Sequence, residues 1–211
     1  PGPEKGLVEI AEGVRVPSYA AGPQSISWWA MVLLMLVGAA LYLAFVFSYL
    51  YLWTVSPQVW PDPTLSPLPP AYWAFASATL LLGSGALIHM ARIHLPPPGR
   101  RNAALPVIVA LAALALVAAF AVDLTAQIRT GLAPNRDAYA ALTYLAIALQ
   151  GVLVVTLAIA AVFVIARYWA GLLDSERRLS MQTTYLLWLY TIGQGLLGLL
   201  LVHGFPRLVG G

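Results

Sequence analysis

The chain has 211 residues, 61% hydrophobic and only 9% charged, with a formal net charge of +3 and no cysteine. Typical globular chains carry roughly 25% charged residues, so an ordinary water-soluble domain is excluded. The lack of cysteine removes disulfides, thiolate metal ligands, iron–sulfur clusters and covalently attached c-type haem.

The few charges show where the chain crosses a membrane. No Lys, Arg, Asp or Glu falls between Arg15 and Asp62, Asp62 and Arg92, Arg101 and Asp123, Asp137 and Arg167, or Arg178 and Arg207. Each gap holds an apolar run of about 18 residues or more, enough to cross roughly 30 Å of hydrocarbon at 1.5 Å per residue. The expected fold is all-α: a polar arm (1–26), then a five-helix transmembrane domain (27–205) and a short tail (206–211). The spans are predicted at 28–53, 71–91, 104–122, 138–166 and 184–202.

The arm is rich in Gly and Pro and has no cleavable-signal pattern. A chain that opens on Pro1 is expected to be processed, trimmed, or the tail of a longer polypeptide. Span one begins at Trp28 and Trp29 and repeats small residues at Ala40, Ala44 and Ser48, one face of a helix. In lipid such residues let helix backbones approach closely, so this face is an expected packing seam and partner contact. The proline-dense segment that follows should be a stiff extended loop.

Span two carries a Gly83-Ser84-Gly85 notch, and Pro106 sits in the first turn of span three, where its missing amide costs little. Asp123, at the end of span three, is expected at the interface, and Asp137 should cap span four. Span four is the longest, at 29 residues, and should tilt or project. Beyond it, Asp174 with Arg177 and Arg178 reads as a solvated charge cluster. Span five has its own small-residue seam, Thr191, Gly195 and Gly198.

Positive charge is lopsided. With five spans, Lys5, Arg15, Arg92, Arg100, Arg101, Arg167, Arg177 and Arg178 share one side, leaving Arg129, Arg136 and Arg207 on the other. The positive-inside rule then places the N-terminus in the cytoplasm and the C-terminus outside, and the basic pI needs no nucleic acid. Aromatic rings at the span ends form the usual interfacial belts, with Trp28, Trp29, Tyr168 and Trp169 inside and Tyr51, Trp53, Tyr72 and Trp73 outside. Arg92 and Arg167, with Trp28 and Trp29, are candidates for inner-leaflet lipid headgroups.

Chemistry has little room here. A membrane haem needs axial ligands on facing helices at matching depth, whereas His89 and His203 belong to opposite faces and His94 lies just past a helix end. No ionisable residue is expected at mid-depth, which argues against an autonomous pump or channel. No catalytic, cofactor-binding or metal-binding residue is expected in this chain.

Three stretches of the first span carry a resemblance: Trp28-Trp29-Ala30-Met31, Ala39-Ala40-Leu41-Tyr42 and Ser48-Tyr49-Leu50-Tyr51-Leu52. In that order they resemble the first strongly shared helix of subunit III of the haem-copper oxidases, the cytochrome c and quinol oxidase family. The lead-in Val16 to Ser25 resembles the approach to that helix where subunits I and III are fused. Thr79 to Ser84 and Leu149-Gln150-Gly151-Val152 follow the family's outline in spans two and four.

Departures are as informative. Gly38 stands where the family usually keeps a glutamate, Gln150 and Leu153 replace two span-four histidines, and the last helix reads "YLLWLYTIGQG" in place of a Tyr-Trp-His-Phe-x-Asp signature. The resemblance therefore implies a divergent, non-catalytic subunit of a terminal oxidase in a bacterial inner membrane. It would pack against subunit I (and II), hold lipids, and leave haem and copper to those partners. A subunit III-like accessory of a nitric oxide reductase system is the nearer alternative. A stand-alone small transporter is the more distant one, and an odd span count with neutral interiors argues against it.

Overall fold

The computed structural model describes residues 7–11, 14–17, 23, 25–60 and 68–209. Lys5, Asp62, the middle of the proline-dense loop, most of the fused-type lead-in and the last two residues lie outside them.

Within the arm, β1 (Leu7–Ala11) and β2 (Val14–Pro17) pair antiparallel, with Val8 opposite Val16 and an irregularity between Glu9 and Ala11. A paired ladder thus stands where the composition suggested only a polar arm. The rest is helix: α1 (Ile26–Val55), α2 (Ala71–Ile93), α3 (Ala104–Arg129), α4 (Ala138–Trp169) and α5 (Leu179–Leu199). All five are long and apolar enough to cross a membrane. A π-helical turn, Leu200–Gly204, joins α5 to the short α6 (Phe205–Val209).

Helices α2, α3, α4 and α5 form a ring in which each touches the next, and α1 leans on its α4–α5 edge. Ring positions are set by small residues. Val109, Ala112, Leu116 and Ala119 line one face of α3, all fully buried, and this lets α2 lie close along it. Ser77 Oγ crosses that contact to donate to the Ala119 carbonyl at 3.0 Å. On α2, a Cβ at Gly85 would stand 2.6 Å from Ile192 Cδ1, so the predicted notch admits α5. There the Trp188 indole donates to Ser84 Oγ at 3.2 Å.

The two bundle ends are built differently. We call the end with the close of α1 and the C-terminal α6 distal, and the other proximal. Distally, Tyr49, Trp60 and Tyr139 stack edge to face, at centroid distances of 4.8 Å (Tyr49–Trp60) and 5.3 Å (Trp60–Tyr139), and pin α1 to the ring. Proximally the connectors tie to each other: Ser175 N donates to Pro96 O, and the Tyr168 hydroxyl donates to Asn102 O. Tyr168 is therefore buried and not part of an interfacial belt, while Trp169 is half exposed.

Helix ends follow known chemistry. Asp137 Oδ1 accepts from Ala140 N at 2.7 Å, the predicted cap of α4. α4 closes on Gly171, whose φ of +75° suits glycine, and Leu172 N reaches back to Arg167 O at 2.9 Å.

Two expectations need correction. Asp174 is not a solvated cluster. It is 4% exposed and accepts from the Glu176 and Arg177 amides at 2.9 and 2.8 Å, and from the Arg177 guanidinium at 2.8 Å. Burial pushes its carboxyl up, but those hydrogen bonds prevail and hold it below the usual carboxylate range. Likewise, α3 does not stop near Asp123. It continues to Arg129, placing Asp123 six residues inside the helix, roughly 9 Å from its end.

Candidate functional site

Asp123 has a partner that explains its depth. His203, from the π turn, is 2% exposed and its Nε2 lies 2.7 Å from Asp123 Oδ1. Neither residue is interfacial in the sense the sequence suggested; each supplies the other's buried polar contact. Ionisable side chains within a span normally survive only with such partners.

The π turn that presents His203 has a local cause. Pro206 has no N–H to offer, and its ring crowds the carbonyl of the preceding turn. The helix widens, and Phe205 N bonds the Leu200 carbonyl five residues back. In that register Leu201 O would have taken the missing Pro206 amide. Instead Tyr49 of α1 donates its hydroxyl there at 2.9 Å. Arg207 covers two further carbonyls, donating to His203 O and to Pro69 O in the connector before α2. Such π turns recur at functional sites.

Beside the pair is a small cavity with about 20 Å³ of room for water centres, lined by Tyr42, Asp123, Gln150 and Gln194 together with Gly195 and Gly198. The four polar side chains come from four helices: α1, α3, α4 and α5. Gln150 Nε2 donates to Thr191 O at 3.2 Å, and Tyr190 Oη donates to Gln194 Oε1 at 2.8 Å. Tyr42 Oη, Gln150 Oε1 and His203 Nδ1 are buried without a protein partner. Gln127 closes the cluster, its amide nitrogen 3.5 Å from His203 Nε2. The arrangement offers unpartnered polar atoms to a small cavity; among the described residues no group of three or more His, Cys, Asp or Glu gathers as a metal site.

The predicted site residues divide cleanly. Thr191 and Gly195 are buried and Gly198 partly so: a Cβ at 195 would meet Gln150 Nε2 at 2.7 Å and Leu81 Cδ1 at 3.0 Å, and one at 198 would meet Tyr42 Oη at 3.1 Å. Their seam is internal, against α1, α2 and α4. Ala40, Ala44 and Ser48 are exposed; the Ser48 hydroxyl turns back onto the Ala44 carbonyl at 2.9 Å. That seam joins no helix of this chain, because Tyr42, Phe45 and Tyr49 on the opposite side of α1 take the interior.

At the proximal boundary, the Arg92 guanidinium lies 4.5 Å over the Tyr185 ring, and Arg167 reaches the Leu172 carbonyl at 3.4 Å. Trp28 and Trp29 meet edge to face, and the Trp29 indole donates to Pro23 O at 2.9 Å. His89 Nδ1 pairs with Tyr185 Oη at 3.0 Å, far from His203. Gly38, the position aligned with a family acid, stands beside the Tyr190 hydroxyl, 3.1 Å from where a Cβ would be.

No protein-family model matches this chain, and no curated protein matches it at a significant level. The Asp123–His203 pair is hidden in the sequence because the two residues are 80 positions apart. The one available signal was Pro206, three residues past His203 in what otherwise reads as the end of a helix.

Proposed function

We propose that the chain is a non-catalytic, subunit III-like component of a haem-copper terminal oxidase. It would sit in a bacterial inner membrane with its N-terminus cytoplasmic. The order of elements in α1 supports this reading, and one observation carries it further. α1 lies at the edge of the bundle with its small-residue face turned away from every other helix of the chain. A helix so arranged packs against a second membrane protein with little rearrangement. Subunit I, bearing haem and copper, is the partner the resemblance implies, with subunit II beside it. Arg92, Arg167, Trp28 and Trp29 would then meet lipid headgroups at the cytoplasmic boundary.

The role is structural: to cover a flank of the catalytic subunit and hold lipids against it. Affinity purification of this chain from its native membrane, followed by a haem spectrum and intact mass, tests the reading. Haem signal and a haem-copper subunit in stoichiometric amount are expected. A stable assembly lacking such a subunit overturns the proposal. Oxygen consumption by the purified assembly, as opposed to nitric oxide reduction, separates it from the accessory-protein alternative.

A further inference from the structure

We propose that the cavity beside Gly198 seats one water, and that this water and the Asp123–His203 pair together form a proton-binding site in the distal half of the bundle. The site is independent of which complex the chain joins.

Shape comes first. Glycine at 195 and 198 keeps the space open, since a Cβ at either position would press on Gln150 or Tyr42. The room left is about 20 Å³, and roughly 10–15 Å³ suffices for one water. The lining atoms match that guest. Tyr42 Oη has a hydrogen to give and Gln150 Oε1 has lone pairs to fill, and both are buried without a partner. Gln150's own nitrogen is committed to Thr191 O, so its amide faces the cavity as an acceptor. Asp123 lines the same space. A water there accepts from Tyr42 and donates to Gln150 and Asp123, about three hydrogen bonds, as buried waters typically make.

Charge comes second. Among titratable groups, Tyr42 from α1 lines the cavity with Asp123 and Tyr190 from α5 bonds Gln194 on its rim, with Tyr49 and Tyr139 further toward the distal end. α2 faces His203 with apolar side chains only, among them Ala74, Phe75 and Ala78. Arg207 is the fixed charge, anchored on the His203 carbonyl. The pair can stand as carboxylate plus imidazolium, or give up one proton and leave a carboxylate whose charge the adjacent Arg207 offsets. His203 Nδ1 is buried and unpartnered, so no second hydrogen bond fixes the imidazole's tautomer. The pair exchanges its proton with the water bonded to Asp123, which lines the cavity.

Infrared difference spectra after a pH jump, on the full chain in lipid nanodiscs, test the site. Wild type should show shifted carboxylate stretching bands and a strongly hydrogen-bonded, deuterium-sensitive water O–H band. Asp123→Asn should lose both, whereas Gly198→Ala should lose the water band and keep the carboxylate bands. An Asp123→Asn spectrum identical to wild type overturns the proposal. So do bands that follow NaCl but not choline chloride at fixed pH, which would make the guest a cation. If Asp123→Asn fails to fold, ¹⁵N-histidine spectra of the wild type decide alone. The His203 signal must respond to the same pH jump, and an unchanged signal refutes the site.

Discussion

Two small-residue stripes, Ala40/Ala44/Ser48 on α1 and Thr191/Gly195/Gly198 on α5, look alike in sequence and end in opposite environments. In the apolar stretch of the Leu179–Val209 span, which begins with α5, half of the residues are buried inside the bundle; in that of α1, 11% are. The stripe alone does not decide which way a helix turns. On α5 the surrounding residues, Trp188, Ile192 and Leu199, are also buried, so glycine seam and bulky side chains face the same core. On α1 the bulky aromatics Tyr42, Phe45 and Tyr49 occupy the other side, and they win the interior. The rings win because their partners exist only inside the bundle: Tyr49 meets Trp60 and Phe205 edge to face and its hydroxyl bonds Leu201 O, whereas lipid serves two alanines and a self-bonded serine equally well. The lesson is that a small-residue face buries itself only when its own helix has no larger claim elsewhere.

The sharpest way to break the comparison is to fill the inner seam. Gly195→Leu drives a side chain into Gln150 and Leu81, with its Cβ already within 3.0 Å of both. Overpacking of this kind costs about 3 kcal/mol, and here neighbours from two helices must move. Thermal unfolding of the full chain in detergent, followed by tryptophan fluorescence, should show a large loss of stability. An unchanged midpoint would mean that Gly195 does not face the interior of the ring.

Next in size is the connector that delivers α5 to that position. Asp174→Ala strands two amides and the Arg177 guanidinium, a loss of about 1–3 kcal/mol. The sign with pH follows from its lowered carboxyl. Its stabilisation is complete above the unfolded-state value of about 3.9 and disappears as pH falls through the lower folded-state value. Wild type should therefore lose stability on acidification in that window, and Asp174→Asn should lose less of it. Parallel unfolding curves for the two proteins would contradict the buried cap.

Smaller still is Tyr49→Phe. It leaves the Leu201 carbonyl without the hydroxyl that replaces the amide Pro206 lacks, and should cost about 1 kcal/mol or slightly more. The loss should vanish when Pro206→Ala supplies the amide, a coupling that a double-mutant cycle measures directly. Additive effects would detach Tyr49 from the π turn.

What the sequence made legible divides along the same line as the stripes. The five helices and the Asp137 cap follow from charge spacing and capping chemistry, both local. Ends were less secure: α3 continues seven residues past the predicted 122, because Asp123 is sheltered by a residue the local pattern cannot see. Asp174 looked solvated for the same reason, since its burial comes from the Pro96–Ser175 contact between two connectors. The cavity depends on Gln150 and Gln194, which read as neutral substitutions until α1 and α3 bring Tyr42 and Asp123 beside them. Which stripe faces inward was equally hidden, because that choice is made by competition around a helix and not by the stripe.

The smallest effect on the chain's own stability is expected on α1, and that is what makes it informative. Ala44→Leu adds bulk to an exposed face that touches no other helix, so unfolding of the isolated chain should shift by less than about 0.5 kcal/mol. If the proposed complex forms through this face, the same substitution in the native membrane should lower its recovery, because close helix approach would need a small residue there. Gly195→Leu gives the reverse pattern in which the chain itself fails first. Recovery of the complex at wild-type yield with Ala44→Leu would show that lipid, not protein, covers the outer stripe. A loss of the isolated chain's stability would instead show that α1 turns its alanines inward.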